Sequence, residues 1–107
     1  MLINIARQLA TTADALDFEE PVACVYNPLM YAWDSHKKYL EKFGDGKGRV
    51  LLIGMNPGPW GMAQTGVPFG EVNAVREFLG IEERVGHPNP EHPKREIQGF
   101  DCPRSEV

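Results

Sequence analysis

Apolar residues near the amino terminus of the chain recur at spacings of three and four positions. Such spacing places them on one face of a helix, because an α-helix turns once every 3.6 residues. Pro21 lies beyond the end of the pattern, as expected for a helix that stops before it. The sequence therefore predicts an amphipathic helix whose apolar stripe packs inward and consists of Leu2, Ile5, Leu9, Ala13 and Leu16.

A second stripe of helical period follows between residues 29 and 43. Asn27-Pro28 precedes it with the composition of an N-cap and a proline at the first helical position. Gly44 follows it and is typical of a C-terminal stop. The predicted buried face comprises Leu29, Trp33, His36, Leu40 and Phe43.

Residues 71–79 carry a third and shorter helical pattern, in which Val72, Val75 and Leu79 are predicted to face inward. Gly80 and Ile81 fit a Schellman-type helix end, where a left-handed glycine is followed by an apolar contact. The helix is flanked by two irregular segments rich in glycine and proline, one before residue 71 and one at residues 86–93.

Residues 50–55 form a continuous apolar run. A run without alternation is typical of an interior strand of a parallel sheet, because both faces of such a strand are covered. It follows a flexible Gly/Asp/Lys turn at residues 44–48, and residues 22–26 and 97–100 are weaker strand candidates. With one strong strand and no closing element before Val107, residues 1–107 are predicted to be the truncated first part of a single α/β domain.

Composition limits the possible functions only loosely. The chain has 107 residues, of which 42% are hydrophobic and 24% charged, as in an ordinary globular domain. It lacks a long apolar span and a signal-peptide pattern, so neither membrane insertion nor secretion is expected. Cys24 and Cys102 are too few and too far apart in sequence to suggest a metal site or a disulfide framework, so two free thiols are expected.

The balance of charge argues mildly against a nucleic-acid partner. The net charge is −4, from 11 Lys and Arg against 15 Asp and Glu, whereas nucleic-acid binding usually leaves a basic footprint. The basic residues are nevertheless concentrated in two stretches. One is Lys94-Arg95, and the other contains Lys37, Lys38, Lys42, Lys47 and Arg49. The simplest interpretation of each single residue is solubility.

The loop after the predicted strand carries the candidate chemistry, because open α/β sheets bind ligands at the carboxyl ends of their strands. Pro57 and Pro59 remove two backbone donors, and neither a Walker ending nor a GxGxxG pattern is present, so the loop is a poor phosphate cradle. A loop made rigid by proline is better suited to holding Asn56 in place. An amide can position water but cannot act as a base, which suits cleavage of an N-glycosidic bond. The alternative is a turn-forming asparagine.

Two further residues at the end of this loop allow both a functional and a structural interpretation. Phe69, between Pro68 and Gly70, could stack on a base that has been flipped out of a nucleic acid, although core packing is the commoner role of phenylalanine. Glu71 could act as a general base, but an acidic residue in the first turn of a helix is explained by the helix dipole alone.

The long segment at residues 54–72 closely resembles the first active-site motif of the single-strand-selective monofunctional uracil-DNA glycosylases, within the uracil-DNA glycosylase superfamily. It reads Gly-Met-Asn-Pro-Gly-Pro-Trp-Gly-Met-Ala-Gln-Thr-Gly-Val-Pro-Phe-Gly-Glu-Val. Four shorter segments also resemble that family, so the likeness extends from about residue 18 to the last residue. These segments lie at residues 25–28, 31–33, 91–95 and 102–107.

The resemblance implies a three-layer αβα fold around a short parallel sheet. It also implies a monomeric DNA repair enzyme that flips a base and hydrolyses its glycosidic bond without a cofactor or metal. Substrates would be uracil and oxidised pyrimidines such as 5-hydroxymethyluracil, in single- or double-stranded DNA. Such an enzyme would be cytoplasmic and nucleoid-associated in a bacterium, or nuclear in a eukaryote.

The same resemblance implies roles for individual residues of the loop. Asn56 matches the residue that positions water, and Phe69 matches the aromatic that stacks on the base. Met55 and Gly58 match positions that line the base pocket, and Trp60 replaces a phenylalanine of the pocket wall.

Two elements of the family pattern have no counterpart in this sequence. These are a later asparagine that reads the pyrimidine edge and a His-Pro-Ser-Pro motif whose histidine stabilises the charge on the departing base. His87-Pro88-Asn89-Pro90 imitates the second motif but lacks a buried strand before it, and we interpret it as a variable loop. A truncated, non-catalytic module that binds a pyrimidine, DNA or a protein partner is therefore the alternative function, and a remnant without a stable fold is a third hypothesis.

Overall fold

The computed structural model describes residues 1–44, 46 and 50–105. Its helical elements are α1 (Leu2–Asp14), α2 (Pro28–Tyr31), α3 (Trp33–Phe43) and α4 (Met62–Thr65), followed by a π-helix (Ala74–Leu79) and a 3-10 turn (Gly99–Asp101). The predicted turn at residues 44–48 lies largely outside the described residues. None of the described helices is long and apolar enough to cross a membrane.

The first helix forms where the sequence predicts it, but it packs through a different face. Ala6 and Ala10 are its buried residues, and they lie against α2 and α3. The predicted apolar stripe is largely exposed, with Ile5 and Leu9 more than half accessible. Small side chains allow a close approach of the helices, so the larger residues face outward along a cleft.

The second predicted helix is divided into α2 and α3 by a break at Ala32 (φ −114°, ψ 31°). Its start is confirmed, because the side chain of Asn27 accepts a hydrogen bond from the Leu29 amide at 3.2 Å and Pro28 occupies the first helical position. Gly44 ends α3, although with a right-handed φ of −83°. Of the predicted face, Leu29, Trp33 and His36 are buried.

The main apolar core lies on the carboxyl-terminal side of the chain. It is built from buried residues of the loop after α4, the π-helix and the last segment: Val67, Val72, Val75, Ile81, Phe100 and Cys102. The predicted inward positions Val72 and Val75 are confirmed, and Leu79 is partly buried against this cluster. Gly80 ends the helix with φ +68°, and Ile81 is fully buried after it, as the sequence predicted.

The predicted α/β fold, three αβα layers around a short parallel sheet, is wrong for the described residues, which contain helices and loops but no strand. The apolar run at residues 50–55 is extended and exposed, and Leu51, Ile53 and Met55 are each at least 80% accessible. A strand exists only when its amides and carbonyls pair with a neighbour. None of the backbone hydrogen bonds among the described residues involves this run.

The two weaker strand candidates are occupied in other ways. The amide of Ile97 donates to the Glu91 carboxylate at 2.7 Å, and the amides of Gln98 and Gly99 donate to Oε1 of Gln64 at 2.8 and 3.1 Å. The backbone amides of residues 97–99 thus donate to side chains and are not available to pair with a neighbouring strand. Residues 22–26 are likewise irregular, so the run at 50–55 has no partner among them.

Candidate active-site cleft

The four residues predicted for the site lie along one cleft of about 840 Å³. Met55, Asn56, Gly58 and Phe69 all line it, although Phe69 is 11 or more positions from the others. Part of its lining is apolar and is formed by Leu9 and Ala13 of the outward stripe of α1 and by Leu16 just beyond the helix. A predominantly apolar cleft of this size with a few polar groups is typical of a small-molecule site.

Asn56 presents its amide at the exposed end of the cleft. Its Nδ2 donates a hydrogen bond to the carbonyl of Pro57 at 3.0 Å. This bond uses the amide nitrogen within the loop itself and leaves Oδ1, which accepts no hydrogen bond from a described residue. A carbonyl oxygen fixed in this way can accept a hydrogen bond from water or a ligand in the cleft.

Phe69 is held in a strained conformation and remains exposed. It is the only non-glycine residue of the described chain with a positive φ, at +55°, and 68% of its surface is accessible. It follows Pro68 in a turn closed by the hydrogen bond from the Gly70 amide to the Val67 carbonyl at 2.9 Å. The left-handed region costs a bulky residue on the order of 1–2 kcal/mol. The aromatic is therefore presented to the cleft at an energetic cost and does not fill the core.

The loop between these two residues is fixed by Gln64, which is fully buried on α4. Its Nε2 donates to the carbonyls of Pro59 and Glu96 at 3.2 and 3.1 Å, while its Oε1 accepts from the amides of Gln98 and Gly99. All four hydrogen-bonding positions of the amide are used. Gln64 thus ties the loop after Asn56 to the carboxyl-terminal segment.

The turn that carries Phe69 is fixed by Thr65, whose buried hydroxyl donates to the Gly70 carbonyl at 2.9 Å and accepts from the Val67 amide at 3.2 Å. Gly66 follows with φ +78°, and a Cβ there would lie 2.6 Å from the Ala32 carbonyl oxygen. His36 donates from Nδ1 to the Gly66 carbonyl at 3.0 Å. Burial lowers the pKa of His36, which favours the neutral ring in this contact near neutral pH.

Glu71 caps the following helix and is not placed as a base. Its two carboxylate oxygens accept from the amides of Asn73 and Ala74 at 3.0 and 2.9 Å. These hydrogen bonds hold the pKa of Glu71 below its usual range. A carboxylate stabilised in its charged form is a weaker proton acceptor, so the structural interpretation of Glu71 is the better one.

Two residues singled out in the sequence lie away from the cleft. Trp60 packs against the core cluster, with the guanidinium of Arg104 4.6 Å and that of Arg95 5.7 Å from its ring, so it is not the predicted pocket wall. His87 lines a separate cavity, and its Nδ1 lies 3.3 Å from the Glu91 carboxylate. The His87-Pro88-Asn89-Pro90 segment therefore contributes nothing to the cleft.

Sequence reasoning missed the structural roles of Tyr26 and Gln64. Tyr26 lines the cleft, and its hydroxyl accepts from the His92 amide at 2.7 Å and donates to the Arg95 carbonyl at 2.9 Å. Both residues lie in segments that resemble the family, and that is the only signal that marked them. Within the described ranges, no group of three or more His, Cys, Asp or Glu is arranged to hold a metal ion.

The cleft thus brings together an exposed aromatic ring and an amide group that a planar ring could contact. The curated relatives are named uracil-DNA glycosylases. The chain is 58% identical over 92 residues to the single-strand selective monofunctional uracil-DNA glycosylase of Rattus norvegicus, 56% to that of Mus musculus and 55% to that of Bos taurus. No family model matches the chain.

Each match covers 86% of this chain. Over that region, the chain is a relative of the single-strand selective monofunctional uracil-DNA glycosylases. The chain spans about a third of the length of these relatives.

Proposed function

We propose that this chain carries part of the active site of a DNA glycosylase that releases uracil and oxidised pyrimidines such as 5-hydroxymethyluracil from DNA and so begins base excision repair. The observation that supports this most is the placement of Asn56 and Phe69 on one cleft, in a chain whose relatives are named uracil-DNA glycosylases. Met55 and Gly58 complete the edge on which the base would rest.

In the proposed reaction the bond between C1′ of the sugar and N1 of the base breaks, and its electron pair leaves with the base. Water then adds to C1′ and loses a proton, while the base gains one. Asn56 Oδ1 would accept a hydrogen bond from this water and orient it, because the bond from Nδ2 to Pro57 holds the amide in place. Phe69 would cover the base and exclude solvent. These contributions are positioning and fixed dipoles.

The cleft is open to solvent beside Met55 and Asn56, which are both exposed. This open end and the cleft volume of about 840 Å³ leave space for a pyrimidine larger than uracil, which supports oxidised pyrimidines as substrates beside uracil. Single-stranded DNA is the simpler substrate, since its bases need no unpairing before they enter a pocket.

The test is uracil release from a labelled single-stranded oligonucleotide by the 107-residue chain. Asn56→Ala should reduce release about 100-fold, the loss typical of removing one fixed polar group from an active site. The exposed Asn4→Ala on α1 is the matched control and should leave release unchanged. Equal release by wild type and Asn56→Ala would contradict the water-positioning role.

A second candidate function is binding of a pyrimidine or DNA without cleavage. One observation favours it: the described residues that line the cleft include no histidine, lysine or arginine that could stabilise the negative charge on a departing base. A folded chain that binds uracil and releases none from the oligonucleotide would support this alternative.

A further inference from the structure

A second cavity of about 590 Å³ adjoins the candidate cleft, and its rim is basic. His92, Lys94 and Arg95 line one side, and among its described lining residues there is no carboxylate. The net charge of the whole chain is −4. This local reversal of sign would attract an anion to one place on an otherwise acidic molecule.

The basic residues are carried by a turn that is already rigid. The Arg95 amide donates to the His92 carbonyl at 2.9 Å, and the Tyr26 hydroxyl bonds to both ends of the turn, at the His92 amide and the Arg95 carbonyl. The Lys94 amide donates to Nδ1 of His92 at 3.0 Å. In the neutral ring this places the hydrogen on Nε2, which remains a donor. A preformed turn binds a ligand with less loss of entropy.

The charged ends of the turn are available to a ligand. Lys94 and Arg95 are both exposed, and neither forms an ion pair with a carboxylate of the described chain. Within the described residues, the Arg95 guanidinium donates one hydrogen bond, from a terminal nitrogen to the Lys94 carbonyl at 2.9 Å. Most of its five donors are therefore free to bind phosphate oxygens, for which guanidinium and ammonium groups are well suited.

The two cavities share a wall. Tyr26, Pro28 and Pro57 line both of them, and Pro57 directly follows Asn56. A nucleotide whose base lay between Asn56 and Phe69 would therefore place its neighbouring backbone at or near the basic rim.

We propose that the turn at residues 92–95 is a binding site for the phosphodiester backbone of single-stranded DNA, next to the nucleotide held in the cleft. This inference rests on the proposed function for its ligand. It does not depend on cleavage, because phosphate contacts position a strand without reading its bases.

The experiment measures binding of the 107-residue chain to a uracil-free single-stranded oligonucleotide over a range of salt concentrations. Lys94→Ala/Arg95→Ala should weaken binding on the order of 10-fold at 0.1 M salt and reduce the slope of log affinity against log salt by about 1.4, the value for two lost contacts to a single strand. The matched control, Lys37→Ala/Arg84→Ala, removes the same charge from exposed residues outside the basic cavity and should bind nearly as the wild type does.

Two further measurements locate the contact. An oligonucleotide with uncharged methylphosphonate linkages should bind the wild type and the Lys94→Ala/Arg95→Ala variant equally weakly. The oligonucleotide should also slow alkylation of Cys24, which lines the basic cavity, and should do so less in the variant. Cys102 is buried and serves as an internal reference.

An affinity and salt slope unchanged by Lys94→Ala/Arg95→Ala, or a loss equal to that of the control pair, would overturn the proposal. So would a wild-type chain that does not bind the oligonucleotide. Uracil release is assayed in parallel, so that release without these binding effects rejects the phosphate site and leaves the proposed function standing. If the Lys94→Ala/Arg95→Ala variant shows the expected loss of binding but the wild type releases no uracil, the phosphate site stands and the proposed function is rejected.

Discussion

The ring of Phe69 lies against the backbone of Gly54, on the opposite side of the proline-bounded loop. A Cβ placed on Gly54 would stand 3.1 Å from Cζ of the ring and 3.4 Å from Cε1. The absence of a side chain at Gly54 thus allows the Phe69 ring to pack against the backbone near Asn56.

Replacing Gly54 with alanine should displace this ring. The stability of the chain should change by no more than about 0.5 kcal/mol, since both residues are exposed and surface substitutions have small effects. Affinity for a uracil-containing oligonucleotide should fall several-fold, as measured by titration. In a Phe69→Ala background the same substitution should have no further effect, and a full additional loss there would show that Gly54 does not act through the ring.

The left-handed conformation of Phe69 can be tested by comparing the stabilities of its glycine and alanine variants. At an ordinary position alanine stabilises relative to glycine, but at a φ of +55° glycine carries no steric cost. Phe69→Gly should therefore be more stable than Phe69→Ala, by about 1 kcal/mol in urea unfolding. Both variants should lose base binding. If the alanine variant proved the more stable one, the left-handed turn would be rejected.

Gln64 should be far more sensitive to substitution than its distance from the chemistry suggests. Gln64→Leu would leave two carbonyls and two amides without partners at a buried site. We expect a loss of about 3 kcal/mol in the free energy of unfolding. Gln8→Leu, on the exposed side of α1, is the control and should change stability by no more than about 0.5 kcal/mol. A similar small change for Gln64→Leu would show that its four hydrogen bonds are not formed.

The burial of His36 should make the stability of the chain depend on pH. Because burial lowers its pKa, the unfolded chain binds a proton more readily than the folded one. The contribution of His36 to the free energy of unfolding is therefore fully present above the usual histidine pKa near 6.5. It is lost progressively as the pH falls below that value. His36→Gln, which keeps a donor for the Gly66 carbonyl, should flatten the stability curve between pH 5 and 7. A slope as steep as that of the wild type in this range would assign the dependence to other groups.

Local signals in the sequence predicted the ends of helices well. The Asn27 cap and the left-handed Gly80 both follow from the chemistry of one or two adjacent residues, and these preferences hold in almost any context. The helix stripe of α1 was also found, but its orientation was not. Periodicity identifies the apolar stripe of a helix. It does not determine whether neighbouring helices pack on that stripe or on the adjacent face, which in α1 carries Ala6 and Ala10.

Features that depend on distant residues could not be predicted. The apolar run at residues 50–55 has the composition of a buried strand, yet a strand also needs partners, and the amides of the candidate partners at 97–99 are taken by Glu91 and Gln64. The hydrogen-bond partners of Gln64 lie as many as 35 positions away in sequence, so no local sequence pattern predicts them. The positive φ of Phe69 contradicts the usual preference for glycine.

The loop that carries the candidate site could be recognised in the sequence although the fold could not, for a physical reason. Asn56 and Phe69 belong to one continuous motif whose prolines restrict its backbone, so the motif could be recognised without knowing what packs around it.

The exposed run at residues 50–53 has a consequence for how the chain behaves at high concentration. Val50, Leu51, Leu52 and Ile53 are at least 72% accessible, and their backbone groups are unpaired within the described chain. Consecutive β-prone apolar side chains beside free amides are a template for intermolecular pairing, the first step of aggregation. A charged residue in place of Leu51 should therefore act as a gatekeeper, raising the concentration at which the chain stays dispersed.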